Sequence, residues 1–411
     1  MTARSLLAAL ALLVAAPVLA QPKPTPDQLA AQVLKTTPLV DGHNDWPWAL
    51  RTAYGVAGAQ AADLMADPST RTPPGHTSIP WLRQGRLGAQ IWSVYVPASY
   101  PAAAATQATF EQIDIVKSFV ARYPETFALV TTADQLEAAF RSGRIASLIG
   151  IEGANQIGDD IDTLRRAARA GVRAMTLTHS RTTSLFDSAT GDVKYRGMAP
   201  GAGAMIAEMN RLGVLVDLSH VSPQVMHQVL DVTAAPVIFS HSSARALTDH
   251  PRNVPDDVLA RMPANGGIVM VTFVPAFVNQ ARADWQARRQ AQALVAGQGE
   301  AGKAAMAAWD AANPKPVSTL AMVADHVEHV AKIAGHAHVG IGGDYDGVDD
   351  LPQGLETVAT YPALFAELAR RGWTESRLRA LAGTNFLRVL RANEAVAARL
   401  QAQAAPTATA P

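Results

Sequence analysis

The stretch "LVDGHNDWPWAL" (residues 39–50) decides how the rest of the chain is read. An apolar pair, Leu39 and Val40, leads into Asp41-Gly42-His43-Asn44-Asp45, and two Trp follow. In a strand, residues i and i+2 point to the same side. His43 and Asp45 can therefore aim a nitrogen and an oxygen at one point, as metal ligands do. A buried His paired with a carboxylate for structural reasons gives the same local pattern. The choice rests on what stands at the ends of the other strands.

Eight apolar, β-branched runs read as strands: "PLVDGH" (38–43), "GAQIWSVYV" (88–96), "ASLIGIEG" (146–153), "VRAMTLTH" (172–179), "VLVDLSH" (214–220), "PVIFSH" (236–241), "GGIVMVTFV" (266–274) and "HVGIGGDYD" (338–346). Helix-like stretches lie between them. "IDTLRRAARAG" (161–171) and "GAMIAEMNRLG" (203–213) each stop at a Gly, and "PQVMHQVLDV" (223–232) starts with Pro. "TLAMVADHVEHVAKIAG" (319–335) is longer. Continuous apolar strands alternating with helices are the mark of a parallel sheet covered on both faces. Eight such units predict a closed (β/α)₈ TIM-like barrel. A doubly wound open sheet is the alternative, but no Gly-rich phosphate loop follows the first run.

A barrel of this kind carries its chemistry at the C-terminal ends of its strands. The first run gives His43 and Asp45, the third Glu152, the fourth His179, the fifth His220, the sixth His241, and the eighth Asp344 and Asp346. The second and seventh end without such a group. Of eleven His, four fall at these ends, whereas chance would scatter them. A carboxylate such as Glu152, ending an apolar strand, costs several kcal/mol unless it is paired or metal-bound. His326 and His329, three apart on a helix, are a much weaker candidate pair.

Composition narrows the chemistry. Hydrophobic residues make up 48% and charged residues 17% of the 411, a globular balance. Lys plus Arg equals Asp plus Glu, 35 each, and no long basic run appears, so nucleic-acid binding has no electrostatic support. Cysteine is absent, which removes disulfides and any thiolate nucleophile or ligand. His and carboxylate ligands alone suit Zn²⁺, Mn²⁺, Co²⁺ or Fe²⁺. Five ligand-type residues exceed the three or so that a catalytic zinc takes. Two ions bridged by Glu152 accommodate them: His43, Asp45 and Glu152 on one, Glu152, His220 and His241 on the other. Such a pair, roughly 3.5–4 Å apart, would hold a nucleophilic hydroxide between them. Asp344 would then handle protons and His179 would stabilise an oxyanion.

The segments "LVDGHNDWPW", "GIEGA", "LTHS", "VDLSHVS", "VIFSHSSA", "RNVPDD" and "GIGGDYDG" together resemble the membrane dipeptidase (renal dipeptidase) family of zinc peptidases in the amidohydrolase superfamily, over residues 38–391. The resemblance implies two Zn²⁺ per chain on His43, Asp45, bridging Glu152, His220 and His241. It also implies substrate binding by His179 and Arg252 and an acid/base role for Asp344. It implies a free dipeptide as substrate, with a D-residue tolerated at its C-terminal end. Relatives that bridge their metals through a modified Lys fit poorly, since none of the eight runs contains Lys. One departure stands out: where mammalian members carry a Tyr after the seventh strand, this chain reads "TFVPAF", with Val274 and Pro275 in that place.

The organisation expected is a secretory signal at residues 1–20, a single catalytic domain at 21–395 and a flexible tail at 396–411. The signal reading follows from Arg4, the apolar stretch Leu6–Val14 and the small-residue site Val18-Leu19-Ala20. It implies cleavage after Ala20 and a periplasmic or secreted protein with no membrane span in the mature chain. An uncleaved anchor is the weaker reading. Residues 279–316 are polar and helix-prone, which suits either a lid or a solvated helix pair. The active form could be a homodimer. The rival functions are an N-acyl-amino-acid amidase or lactonase using the same site, and a metal-scavenging protein without catalysis. A closed metal cage would need neither Asp344 nor His179.

Overall fold

A computed structural model describes residues 23–71 and 73–404. The expected signal at 1–20 lies outside them. Nine strands form one sheet: β1 (Leu39–Asn44), β2 (Leu87–Ser93), β3 (Phe127–Leu129), β4 (Ile145–Glu152), β5 (Val172–Thr176), β6 (Leu215–Asp217), β7 (Ile238–Phe239), β8 (Ile268–Val271) and β9 (Val339–Ile341). Every pairing is parallel. Eight strands close a ring in the order β1-β2-β4-β5-β6-β7-β8-β9, with β9 returning to β1. This is a (β/α)₈ barrel, and the closure removes the open-sheet alternative. All eight expected strands are present.

The ninth strand, β3, was not expected. It pairs with the first half of β4 (Phe127↔Ile145 to Leu129↔Ser147), just where β5 has not yet begun to pair. Three residues are too few to leave a periodic signal. The expected runs also overshoot the strands. β5 stops at Thr176 and β9 at Ile341, so His179 and Asp344 stand on the turns just beyond the rim.

Alternation along the strands sorts the core into two shells. Val40, Ala89, Ile91, Ala146, Leu148, Ala174, Leu215, Ile238, Ile268 and Met270 fill the barrel interior. Residues of the other parity, such as Met175, Val216, Phe239, Val269, Val271 and Ile341, pack against the outer helices. The interior is narrow at one crossing: a Cβ on Gly42 would lie 2.3 Å from the Ser240 carbonyl oxygen. Parity also sets the chemistry. Ala146 and Leu148 face inward, so Gly150 and Glu152 do too, and Glu152 arrives at the top of the barrel axis.

The interior is closed at its other end by the helix Asn385–Ala404. Phe386, Leu387 and Leu390 join the inner cluster. Arg388 donates to the carbonyls of Gly266 and Gly267, at the start of β8. This helix runs through the first nine residues of the segment expected as a tail. Ala, Leu, Gln and Arg are strong helix formers, and Gln401 Nε2 anchors the last turns by donating to the Arg211 carbonyl at 2.7 Å.

Residues 279–316 form a helical hairpin, Gln280–Ala296 and Gly299–Ala312. It is held by Trp285 against Trp309 (5.7 Å) and by Arg289 on both oxygens of Asp310 (2.8 and 2.9 Å). Among the described residues, no helix is long and apolar enough to cross a membrane.

Candidate metal centre

The turns leaving β1, β4, β5, β6, β7 and β9 bring seven side chains to one place above the barrel axis. At its centre is Glu152 Oε1. It lies 3.0 Å from His220 Nε2, 3.5 Å from His43 Nε2, 3.5 Å from His241 Nε2 and 3.9 Å from His179 Nε2. The Nε2 atoms of His220 and His241 are 2.8 Å apart. On the near side, His43 Nε2 stands 3.2 Å from Asp45 Oδ2 and 3.9 Å from Asp344 Oδ1. Three overlapping sets offer ligand atoms within 4.8 Å of one another: His43, Glu152 and His241; Glu152, His179 and His220; His43, Asp45 and Asp344. Glu152 and His43 each belong to two of them. The geometry thus gathers all five residues expected as ligands, with His179 and Asp344 beside them.

His241, Glu152 and the backbone of His43 are held from behind. His241 Nδ1 lies 2.8 Å from Ser240 Oγ, and Ser240 Oγ donates to Asp217 Oδ2 at 2.6 Å. The hydroxyl proton is committed to the carboxylate, so His241 Nδ1 must be the donor and Nε2 keeps its lone pair for the centre. Glu152 Oε2 accepts from Ser93 Oγ at 3.2 Å, and the Glu152 backbone N–H donates to Gln156 Oε1. Asp41 ties β1 to β9: it accepts from the backbone N–H groups of His43 (2.7 Å) and Gly343 (2.9 Å) and from the Tyr361 hydroxyl. The backbone itself is strained at the rim. His220 and Asp344 have φ of 70° and 62°, in the left-handed region that few non-glycine residues adopt. Gly347 has no room for a side chain, since a Cβ there would sit 2.3 Å from Asp344 Oδ1 and 2.4 Å from Asp45 Oδ2.

The electrostatics of these protein groups are unbalanced. Burial and the neighbouring Asp45 and Asp344 hold the Glu152 carboxyl well above its usual range, against the pull of His43. Burial disfavours charge on His43, but Glu152 and Asp45 outweigh it and push the imidazole up to about 10. Burial, helped by the Arg252 charge, holds His220 well below its usual value, and burial together with His43 does the same to His241. Burial, reinforced by Asp45, lifts Asp344 to about 6. Three carboxyls and four imidazoles packed this closely cannot all satisfy one another with protons. Asp45 Oδ1 and the Nδ1 atoms of His179 and His220 are buried without a hydrogen-bond partner. Divalent cations between them would let the carboxylates ionise and keep the imidazoles neutral, which is the form that ligates. The donor set, all nitrogen and oxygen, fits a binuclear site.

Above the centre is a pocket of about 330 Å³. Its lining carries both signs of charge. Asp45, Asp344 and Asp346 line it with Trp48, Phe277 and Val274, and among the described lining residues Arg252 is the only Lys or Arg. Arg252 is buried, and its guanidinium carbon lies 5.4 Å over the Phe277 ring. It makes only long bonds, 3.4 Å to the His241 carbonyl and 3.5 Å to Ser242 Oγ, and its Nε has no partner. Burial pulls it down to about 10, still a cation at neutral pH. His179 turns one edge to Tyr95 (4.9 Å) and borders the pocket. Burial and Arg252 push it down to about 4, so it is neutral there.

Sequence reasoning passed over Tyr95, Trp48 and Phe277, which line the pocket, and Asp217, Ser240 and Ser93, which orient it. Asp217 carried a legible signal. It has the inward parity of Leu215 in an apolar strand, as Glu152 has in β4. Asp346 stood with Asp344 in the sequence but turns aside, accepting from the His76 backbone N–H at 2.9 Å with Arg71 at 3.6 Å. His326 and His329 are not a metal pair: the first accepts from Ala244 N–H, the second meets Asp256.

Comparison with known proteins places this arrangement in context. The model of the membrane dipeptidase family, peptidase family M19, matches residues 27–404. An uncharacterized dipeptidase of Schizosaccharomyces pombe is 39% identical over 386 residues, covering 90% of this chain and 84% of its own. Among solved structures, the probable dipeptidase PvdM of Pseudomonas aeruginosa has a TM-score of 0.75 at 21% identity, over 90% of this chain and 99% of that one. A metallopeptidase of Rhodobacter sphaeroides, liganded with a phosphinate mimic of the dipeptide L-Ala-D-Ala, has a TM-score of 0.71 at 23% identity, over 87% and 99%.

Proposed function

The chain belongs to the membrane dipeptidase family, and from that premise we propose that it is a zinc-dependent dipeptidase acting on free dipeptides outside the cytoplasm. The observation that carries the substrate assignment is the mixed charge of the pocket lining: the carboxylates of Asp45 and Asp344, the buried guanidinium of Arg252, and the imidazoles of His179 and His220. A free dipeptide carries both signs of charge at the same scale. Its ammonium fits beside Asp45 and Asp344, and its α-carboxylate fits Arg252, whose donors are poorly used by the protein itself.

His43, Asp45, Glu152, His220 and His241 would hold the two ions, with Glu152 as the bridge. Zinc is the proposed metal because imidazole and carboxylate donors without thiolate suit it. When bound, the ions supply Lewis acidity and a water made acidic enough to act near neutral pH. The side chains do the rest. Arg252 fixes the length of the substrate. Neutral His179 donates a hydrogen bond to the carbonyl oxygen as charge develops on it. Asp344, raised toward neutrality by burial, takes a proton from the attacking water and returns it to the departing amine. The Rhodobacter sphaeroides metallopeptidase is liganded with a mimic of L-Ala-D-Ala, which supports tolerance of a D-residue at the second position.

The test is a panel of free dipeptides, some with a D-residue second, alongside their N-acetyl counterparts and tripeptides, assayed with the metal-loaded enzyme. Free dipeptides are the expected substrates. Faster turnover of N-acetyl-amino acids or lactones would replace this reading with the amidase or lactonase one.

A further inference from the structure

A larger cavity, of about 780 Å³, lies beside the catalytic pocket, between the helical hairpin and residues 347–350. That volume is in the range of small-molecule sites, ~300–1,000 Å³. The two spaces share Val274, Phe277, Gly347 and Val348, an uncharged border. We propose that this cavity receives the side chain of the dipeptide's second residue, so that the enzyme accepts bulky residues at that position. The inference rests on the dipeptidase reading and adds a specificity element to it.

The direction follows from Arg252. A carboxylate bound there puts the second residue's Cα next to Phe277, over which the guanidinium lies. From that point the side chain faces the shared border. A different space of about 290 Å³ borders the pocket at Trp48 and Asp346, and Gly347 and Val348 line all three spaces. Val274 and Phe277, which stand with Arg252 in the pocket lining, border the large cavity and not this one, so the Arg252 end of the pocket opens toward the large cavity.

The cavity is built rather than left over. Trp285 is 8% exposed and backs it, with its Nε1–H donating to the Asn313 carbonyl at 2.8 Å. Arg282 and Lys315 share Asp350, at 2.9 and 3.0 Å, and Arg289 pairs with Asp310. With Asp349 also in the lining, the three basic and three acidic groups balance. The cavity therefore reads size more than charge.

Gln286 and Gln290 lie on the first hairpin helix and line the large cavity but not the catalytic pocket. Gln286→Trp and Gln290→Trp fill it from the solvent side, and Gln290 is exposed, so the second variant folds if the first does not. kcat/KM is measured for Ala-Phe and Ala-Gly with wild type and both variants. The expected result is a fall of about tenfold or more in the Ala-Phe to Ala-Gly ratio, a discrimination of the size that pocket sterics provide. A ratio that stays within about twofold of wild type in both variants overturns the inference and leaves the dipeptidase reading standing. A wild-type enzyme that cleaves neither dipeptide removes that reading and the inference with it.

Discussion

Asp217→Asn changes one oxygen to an NH₂ group far from any substrate, yet it should weaken metal binding. Asp217 Oδ1 accepts from two backbone N–H groups, those of Ser219 (3.0 Å) and Ser240 (2.9 Å). These donors fix the orientation of an asparagine amide: its oxygen must stay there. The NH₂ then replaces Oδ2, which accepts from Thr176 Oγ1 (2.5 Å) and Ser240 Oγ (2.6 Å). Ser240 Oγ becomes an acceptor, and its proton turns toward His241 Nδ1, 2.8 Å away. The imidazole is driven to the tautomer with its proton on Nε2, the atom that faces Glu152 and His220. That form cannot ligate.

Loss of such an orienting partner costs about 10–100-fold in metal affinity, or ~1.4–2.8 kcal/mol at 1.36 kcal/mol per tenfold. The assay is competition with a chromophoric chelator, read beside the unfolding of the metal-free protein. Shape is conserved, so metal-free stability should fall by no more than the cost of re-pairing one buried hydroxyl, about 1–3 kcal/mol. Ser240→Ala should weaken the metal in the same direction, because it leaves His241 Nδ1 without its acceptor. Wild-type affinity in Asp217→Asn would refute the tautomer argument. So would an affinity loss accounted for wholly by metal-free instability.

Purified protein should carry close to two equivalents of metal, and Glu152→Gln, which removes a charge and a ligand oxygen, should lose one or both together with nearly all turnover; metal analysis and dipeptide hydrolysis decide this. Asp344→Asn should keep its metal and lose roughly 10²–10⁴-fold in kcat, since its role is proton transfer. His326, away from the centre, is pushed down to about 4 by burial and accepts from the Ala244 N–H. Its unfolded state binds a proton below 6.5 and its folded state does not, so stability falls as pH drops from 6.5 to 4, by up to about 3 kcal/mol. Urea unfolding of wild type and His326→Gln at pH 7 and pH 4.5 should show the variant losing less. Export predicts a mature chain beginning at Gln21, and an intact Met1 in the exported protein by mass spectrometry would favour an anchor instead.

The candidate ligands were legible because a parallel barrel makes one rule audible in sequence. An apolar strand has no local use for a carboxylate or imidazole where it ends, so Glu152 after "LIGI" and His241 just past "VIFS" stand out. The same rule reached Asp344 and His179, although both lie past the strands proper. What stayed hidden was of two kinds. Asp217 and Asp41 are also inside apolar strands, but their partners are backbone N–H groups and hydroxyls. A sequence does not show where an amide proton points, so a carboxylate that orients looks the same as one that ligates. Phe277, Trp48 and the hairpin border the site through loops of no fixed period, and their placement depends on how each loop crosses the rim. A helix-prone segment at 279–316 announces that it will fold but not which wall it will build. The side pocket therefore belongs to the part of the protein that three dimensions alone disclose, and the Gln286→Trp ratio is where that disclosure meets measurement.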